Sequence, residues 1–243
     1  MNLPFPNCLP SAPWRLATVI WALLAALALP ATAQTPTPTP LAAAHAAAET
    51  PWQASLDAFA AADAAQLPPP GGVLFVGSSS IRLWNDLEEQ FDAPVIVKRG
   101  FGGSRMSDCT RYLQRLVLPY KPRLVIVYAG DNDLAEGRSP QDILRSFNEF
   151  VDGVRAELPE TRITFLSIKP SPLRAPLLGK IRETNRLVAD FVAARPGLGY
   201  IDVFSRMIDE NGMPRSELFR DDALHLNEAG YAVWREVIAG YLR

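Results

Sequence analysis

From Val73 to Val203, short apolar runs alternate with stretches of helical periodicity, and this alternation constrains the fold more than any other feature. The runs are Val73–Val76, Val95–Val97, Leu124–Tyr128, Ile163–Leu166 and Tyr200–Val203. Each is rich in β-branched or aromatic residues and bounded by breakers, the pattern of a buried strand. The clearest helix lies between the third and fourth runs. Ser139 suits its N-cap, Pro140 its first position, and Ile143, Phe147, Phe150, Val151 and Val154 form one face. Leu158-Pro159 ends it. A second helix is expected from Leu177 to Ala194, and a last one from near Asn227, carrying Val233, Val237, Ile238 and Tyr241. Near-continuous apolar strands separated by helices predict an α/β fold, with a mostly parallel sheet of about five strands covered on both faces. Reactive groups in such a fold gather beyond the carboxyl ends of the strands.

The amino-terminal third reads differently. Arg15 precedes an apolar run from Leu16 to Leu29, Pro30 breaks it, and Ala31-Thr32-Ala33 offers small residues for signal peptidase. The run of about 14 residues is shorter than the ~20 that span a bilayer as a helix. Residues 1–33 are therefore expected to be a cleaved export signal, with a retained anchor as the rival reading. Cleavage leaves no stable membrane span and delivers the protein to the periplasm or the medium. Gln34 to Pro40 is a Pro/Thr spacer, followed by an alanine-rich stretch from Leu41 to Ala65. Trp52, Leu56, Phe59 and Ala60 recur there at helical spacing, which predicts a short helix packed onto the domain. Pro68-Pro69-Pro70-Gly71-Gly72 then punctuates the chain, so the domain proper is expected over 71–243, with 34–70 as its spacer.

Charge and residue counts exclude several classes. The net charge is −2 and the basic residues are scattered, which argues against a nucleic-acid partner or a polybasic membrane patch. Two cysteines and two histidines, none paired at ligand spacing, leave no candidate metal site. Cys8 departs with the signal, so Cys109 has no partner for a disulfide, and His45 reads as a solvated residue of the alanine tract.

Four blocks at the ends of strand-like runs carry the chemistry. Phe75-Val76-Gly77-Ser78-Ser79-Ser80-Ile81-Arg82 ends a strand and begins a helix among serines, projecting a hydroxyl and helix-start N–H groups beyond the strand. Serines also cap helices for purely local reasons. Arg99-Gly100-Phe101-Gly102-Gly103-Ser104 follows the second run; paired glycines let the backbone approach a ligand, and equally fit a tight turn. It does not make a dinucleotide fingerprint. Ala129-Gly130-Asp131-Asn132-Asp133-Leu134 ends the third run with an amide able to donate to an oxyanion, although Asp and Asn also populate turns. Asp221-Asp222-Ala223-Leu224-His225-Leu226-Asn227 places an Asp three residues before a His, where it can hold Nδ1 and leave Nε2 as a base. The other histidine lies in the alanine tract, so a histidine-activated serine in this chain implicates His225.

Together the blocks furnish a nucleophile, a base with its orienting acid, and oxyanion donors. In order and placement they resemble the SGNH hydrolases, also called GDSL lipases/acylhydrolases, from Val73 to Arg243. Carried over residue by residue, the resemblance assigns Ser79, Gly103, Asn132 and His225, with Asp222 completing an Asp-x-x-His pair. It implies a flavodoxin-like three-layer α/β/α sandwich and ester hydrolysis without a cofactor. One departure stands out. Ser78 occupies the place of the usual Asp in Gly-Asp-Ser, leaving three adjacent serines; alignment on Gly77 selects Ser79, and FVGSSSIRLW looks like a variant found in bacterial members. The chain has no GxSxG elbow, which disfavours an ordinary α/β-hydrolase.

The expected chemistry is acyl transfer in two steps through an acyl-serine, with Ser79, Asp222 and His225 catalytic. The oxyanion donors are the N–H groups of Ser79 and Gly103 and the side chain of Asn132. Without an apolar lid, short acyl groups are expected, including acetyl esters of glycans. Arg174, on the loop after the fourth run, and Arg105 are candidates for meeting an anionic or sugar-bearing substrate. A glycan-binding or envelope scaffold module, or an acyltransferase, would use the same pocket; oligomeric state is not legible.

Overall fold

The computed structural model describes residues 50–93 and 95–242. The expected signal, the Pro/Thr spacer and His45 lie outside the described residues. Residues 49–243 form one compact unit, so the helix expected before Pro68 belongs to the folded body.

Five strands build the sheet: β1 (Val73–Gly77), β2 (Ile96–Gly100), β3 (Leu124–Tyr128), β4 (Arg162–Leu166) and β5 (Leu198–Ile201). All pairs are parallel, in the order β2-β1-β3-β4-β5. The first, third and fourth runs match within one residue; the second strand extends three residues past its expected end, and the fifth starts and ends two residues early, because Val203 has already left the sheet. Period-two alternation splits the strand side chains between two cores. Leu74, Val76, Val125, Val127, Ile163 and Phe165 face one layer, and Val73, Phe75, Leu124, Ile126, Tyr128 and Ile201 the other. Both layers are closed by helices, as near-continuous apolar strands require.

The first layer holds α1 (Gln53–Ala65), α3 (Met106–Arg111), α4 (Leu113–Leu116), α6 (Pro140–Glu157) and α7 (Leu178–Ala193). On α6 the expected face is buried, and Ser139 caps it by accepting from the Asp142 N–H at 3.1 Å while Asp142 accepts in return from Ser139 N–H. That reciprocal arrangement is a capping box. The second layer holds α2 (Ser79–Arg82) and α8 (Glu228–Ala239) over Trp84 and Phe91. Here the expected face of the last helix is displaced: Tyr231, Trp234 and Ile238 are buried, Val233 and Val237 only partly, and Tyr241 is exposed. The aromatic cluster of Trp84, Tyr231 and Trp234 draws that face inward. Remaining α5 (Asp131–Ala135) follows β3 directly. Among the described residues no helix is long and apolar enough to cross a membrane.

The chain runs from β1 outward to β2, then returns across β1 to β3. This reversal is the switch point at which open α/β sheets leave a crevice beyond the strand ends. The blocks after β1, β2 and β3 all open onto it.

Candidate active site

Gly77 ends β1 at φ 147°, and a Cβ there would stand 1.9 Å from the Tyr128 carbonyl oxygen, so the neighbouring strand demands glycine. The Ser78 N–H donates to that same oxygen at 3.0 Å, and α2 begins one residue later. The turn sorts the three serines. Ser78 and Ser80 are buried, while Ser79 lines an open cleft of about 450 Å³. Its Oγ lies 3.0 Å from His225 Nε2.

His225 arrives on a loop before α8, closed at its base by a bridge between Phe219 and Leu226 and by Arg220 N–H donating to the His225 carbonyl at 2.8 Å. Asn227 caps α8 through Gly230 N–H and donates its side-chain amide to the carbonyls of Glu217 and Phe219. Within the loop, Asp222 Oδ2 is 2.6 Å from His225 Nδ1, and Asp222 Oδ1 accepts from the N–H groups of Leu224 and His225. Those bonds, that to the His225 ring foremost, hold the Asp222 carboxyl well below the usual carboxylate range. A carboxylate fixed on Nδ1 selects the tautomer whose Nε2 accepts a proton. Hydroxyl, imidazole and carboxylate thus form one continuous hydrogen-bonded line.

Across the cleft stand the other two blocks. Gly103 has φ 78° with open space where a Cβ would project. Among the described residues neither its N–H nor that of Ser79 donates to a protein acceptor. Asn132, at the start of α5, lines the same cleft and spends one amide hydrogen on the Ser104 carbonyl at 3.0 Å. Three donors with unspent hydrogens beside a hydroxyl–imidazole pair are suited to a carbonyl that gains negative charge as it is attacked.

In sequence, the profile of the GDSL-like lipase/acylhydrolase family matches residues 75–233, a span that contains all four blocks. The chain belongs to this family. No curated protein matches it significantly. Among solved structures it is similar to a candidate platelet activating factor from Streptococcus pneumonia, with TM-score 0.71 and 21% identity over 79% of this chain and 92% of that one. It is also similar to a GDSL-like lipase from Bacteroides thetaiotaomicron, with TM-score 0.68 and 18% identity over 77% and 96% of the two chains. A carbohydrate esterase family 3 protein from Talaromyces cellulolyticus gives TM-score 0.56 and 19% identity over 70% and 95%. At these identities the likeness is one of fold.

In this GDSL-family hydrolase the structure brings Ser79, Gly103, Asn132, Asp222 and His225 together at one cleft or its hydrogen-bonded rim. The two candidate arginines are placed elsewhere. Arg105 is held by Asp108 at 2.9 Å and Glu136 at 3.2 Å, and lies over the Trp52 ring. Arg174 makes no ion pair among the described residues, and its Nε is buried without a hydrogen-bond partner. Neither lines the cleft, and Arg105 is claimed by two carboxylates. Arg82 lines it instead, with no ion-pair partner among the described residues. Its signal was legible: it stands one helical turn beyond Ser79, on the same face. Pro51, Trp52 and Ser55 form a further wall, contributed by the segment read as a spacer.

Beneath the cleft lies a buried polar layer. Lys169 Nζ is 2.9 Å from Asp131 Oδ2 and 3.2 Å from the Tyr128 hydroxyl. Burial pushes the Asp131 carboxyl upward, but the Lys169 ammonium outweighs it and the net shift is downward. Two residues on, Asp133 has no ion pair among the described residues. It accepts the Met106 N–H, and burial pushes it up to about 6.

Proposed function

We propose that the protein is an exported serine ester hydrolase acting on small carboxylic esters through an acyl-serine intermediate. The observation that carries this reading is the line from Ser79 Oγ to His225 Nε2 at 3.0 Å and from His225 Nδ1 to Asp222 at 2.6 Å. In the first step Ser79 Oγ attacks the ester carbonyl as its proton passes to His225 Nε2. Asp222 steadies the imidazolium and stays ionised. The tetrahedral oxyanion accepts from the N–H groups of Ser79 and Gly103 and from Asn132 Nδ2. His225 then gives its proton to the departing alcohol, leaving the acyl group on Oγ. Water repeats the sequence, deprotonated by His225, and releases the acid.

The cleft supports short acyl groups: it is open, and its apolar lining is limited to Pro51, Trp52 and Leu224. Acetyl esters of glycans suit both this shape and an exported enzyme. Export rests on residues 1–33, and amino-terminal sequencing of the secreted protein is expected to begin near Gln34. The reaction is tested by hydrolysis of p-nitrophenyl acetate and butyrate beside Ser79→Ala and His225→Ala, together with fluorophosphonate labelling. Turnover and labelling are expected in the native protein and absent from Ser79→Ala. A native protein that neither turns over any ester nor takes the label would refute the reading in favour of a binding module.

A further inference from the structure

The oxyanion loop is clamped at three points. Phe101 N–H donates to the Gly77 carbonyl at 2.8 Å, and Ser104 carbonyl accepts from Asn132. Between them the Trp52 indole N–H donates to the Gly102 carbonyl at 2.9 Å, across 50 residues of sequence. Gly102 and Gly103 have no side chains to fix their shared peptide, and Gly103 sits in the left-handed region. In a trans peptide the C=O and the following N–H point in opposite directions. A clamp on the Gly102 oxygen therefore aims the Gly103 N–H. A hydrogen bond accepted by the carbonyl also polarises the same peptide and strengthens its N–H as a donor.

We infer that Trp52 is a positioning residue for the reaction: its indole N–H holds the Gly102–Gly103 peptide so that the Gly103 amide meets the developing oxyanion. This inference rests on the esterase reading of the same site. Trp52 precedes α1, outside the span of 75–233 matched by the family profile. Its ring is held edge-on by Phe101 at 5.8 Å and Tyr112 at 6.3 Å. The far end of α1 is fixed separately, where Asp63 pairs with Arg99 at 2.5 Å and Arg99 donates to the Tyr120 hydroxyl at 2.6 Å. The segment before the family's core thereby completes the catalytic surface, and more than packing is asked of it.

Trp52→Phe separates the two roles, since it keeps an aromatic ring between Phe101 and Tyr112 and removes only the donor. The expected result is a kcat lowered roughly tenfold, a fraction of the ~100-fold that outright loss of an oxyanion donor costs. KM is expected within about twofold and Tm nearly unchanged, because substrate and transition state differ chiefly in charge on the carbonyl oxygen. Replacing Trp52 by the isosteric benzothienylalanine, which lacks the N–H, is expected to lower kcat equally. Full kcat in both variants overturns the inference, as does a loss of kcat that only tracks a fall in Tm. The Gly103 amide shift and hydrogen exchange need no substrate: unaltered in Trp52→Phe, they also overturn it. An inactive, unlabelled native protein would instead refute the esterase reading, and the amide measurement still decides whether Trp52 holds the peptide.

Discussion

Two acid–base pairs stand at the same end of the sheet, and they are built for opposite purposes. Lys169 and Asp131 have side chains only 1% and 7% exposed, whereas His225 and Asp222 are 24% and 47% exposed. In the buried pair each partner drives the other deeper into its charged form: Asp131 is lowered and Lys169 raised, against a desolvation that opposes both. Each is thereby held in its charged form at neutral pH. The rim pair joins a carboxylate, held ionised by its hydrogen bonds, to an imidazole whose Nε2 faces the Ser79 hydroxyl. Burial fixes charge, and partial exposure with good hydrogen bonding leaves one group free to turn over protons. The buried pair serves the site as a foundation: Asp131 and the oxyanion candidate Asn132 are adjacent on α5, and Lys169 ties that turn to the loop after β4.

The sharpest way to break the comparison is to remove the rim machinery. Ser79→Ala and His225→Ala are expected to lower kcat by at least about 10⁴-fold, each alone doing nearly as much as both together. Thermal unfolding is expected to move little, and a large fall in Tm would show the rim to be structural as well. The buried pair is expected to respond in the reverse sense. Lys169→Met strands the Asp131 charge and is expected to cost about 3–5 kcal/mol, lowering Tm by about 10 °C or more. The double change with Asp131→Leu is expected to recover most of that Tm. If Lys169→Met kept its Tm but lost activity on the scale of Ser79→Ala, the division between foundation and machinery would be wrong. Asn132→Ala lies at the boundary, and the expected loss is about 100-fold in kcat with KM and Tm little altered.

The smallest effect comes from Asp133, a buried carboxylate with no ion pair among the described residues. Its folded-state pKa of about 6 stands above its ordinary value of 3.8. Protonation therefore favours the folded state, so this contribution is full below about pH 4 and lost as pH rises through about 6. Asp133→Asn retains an oxygen to accept from Met106 N–H and removes the charge. The variant is expected to gain about 1–2 kcal/mol over the native protein at pH 7.5, read as a Tm higher by roughly 5 °C, with no gain at pH 4. An equal change at both pH values would show that Asp133 acts through packing and not through charge.

Strands β1 to β4 and the face of α6 were legible because their signals are local. A β-branched run between breakers, or a Ser-Pro start followed by apolar residues at period 3.6, needs no knowledge of distant neighbours. The residues assigned at the site were legible for a related reason, since each lies in a short block just beyond a strand-like run or just ahead of a helix. Where local signals competed, the sequence misled. Val233 and Val237 on α8, with Tyr241 just beyond its end, have the spacing of a buried face, but the bulk of Tyr231 and Trp234 packing on Trp84 decides which face turns inward. Arg105 and Arg174 looked available on loops, but Arg105 is engaged by the carboxylates of Asp108 and Glu136, and Arg174 stays outside the cleft lining.

By itself the sequence determined the layered α/β class, the order of the four blocks and the chemistry their side chains can perform. These follow from covalent neighbours, through strand and helix periodicity and turn preference. Alignment on Gly77 already selected Ser79; tertiary structure alone brought its hydroxyl to His225, buried Lys169 against Asp131 and carried Trp52 to the Gly102 carbonyl. Each of those contacts joins residues 38 to 146 positions apart. Burial and hydrogen-bond partnership at such separations belong to the packed chain, because no property of a short segment encodes which distant atom will be brought within 3 Å of it.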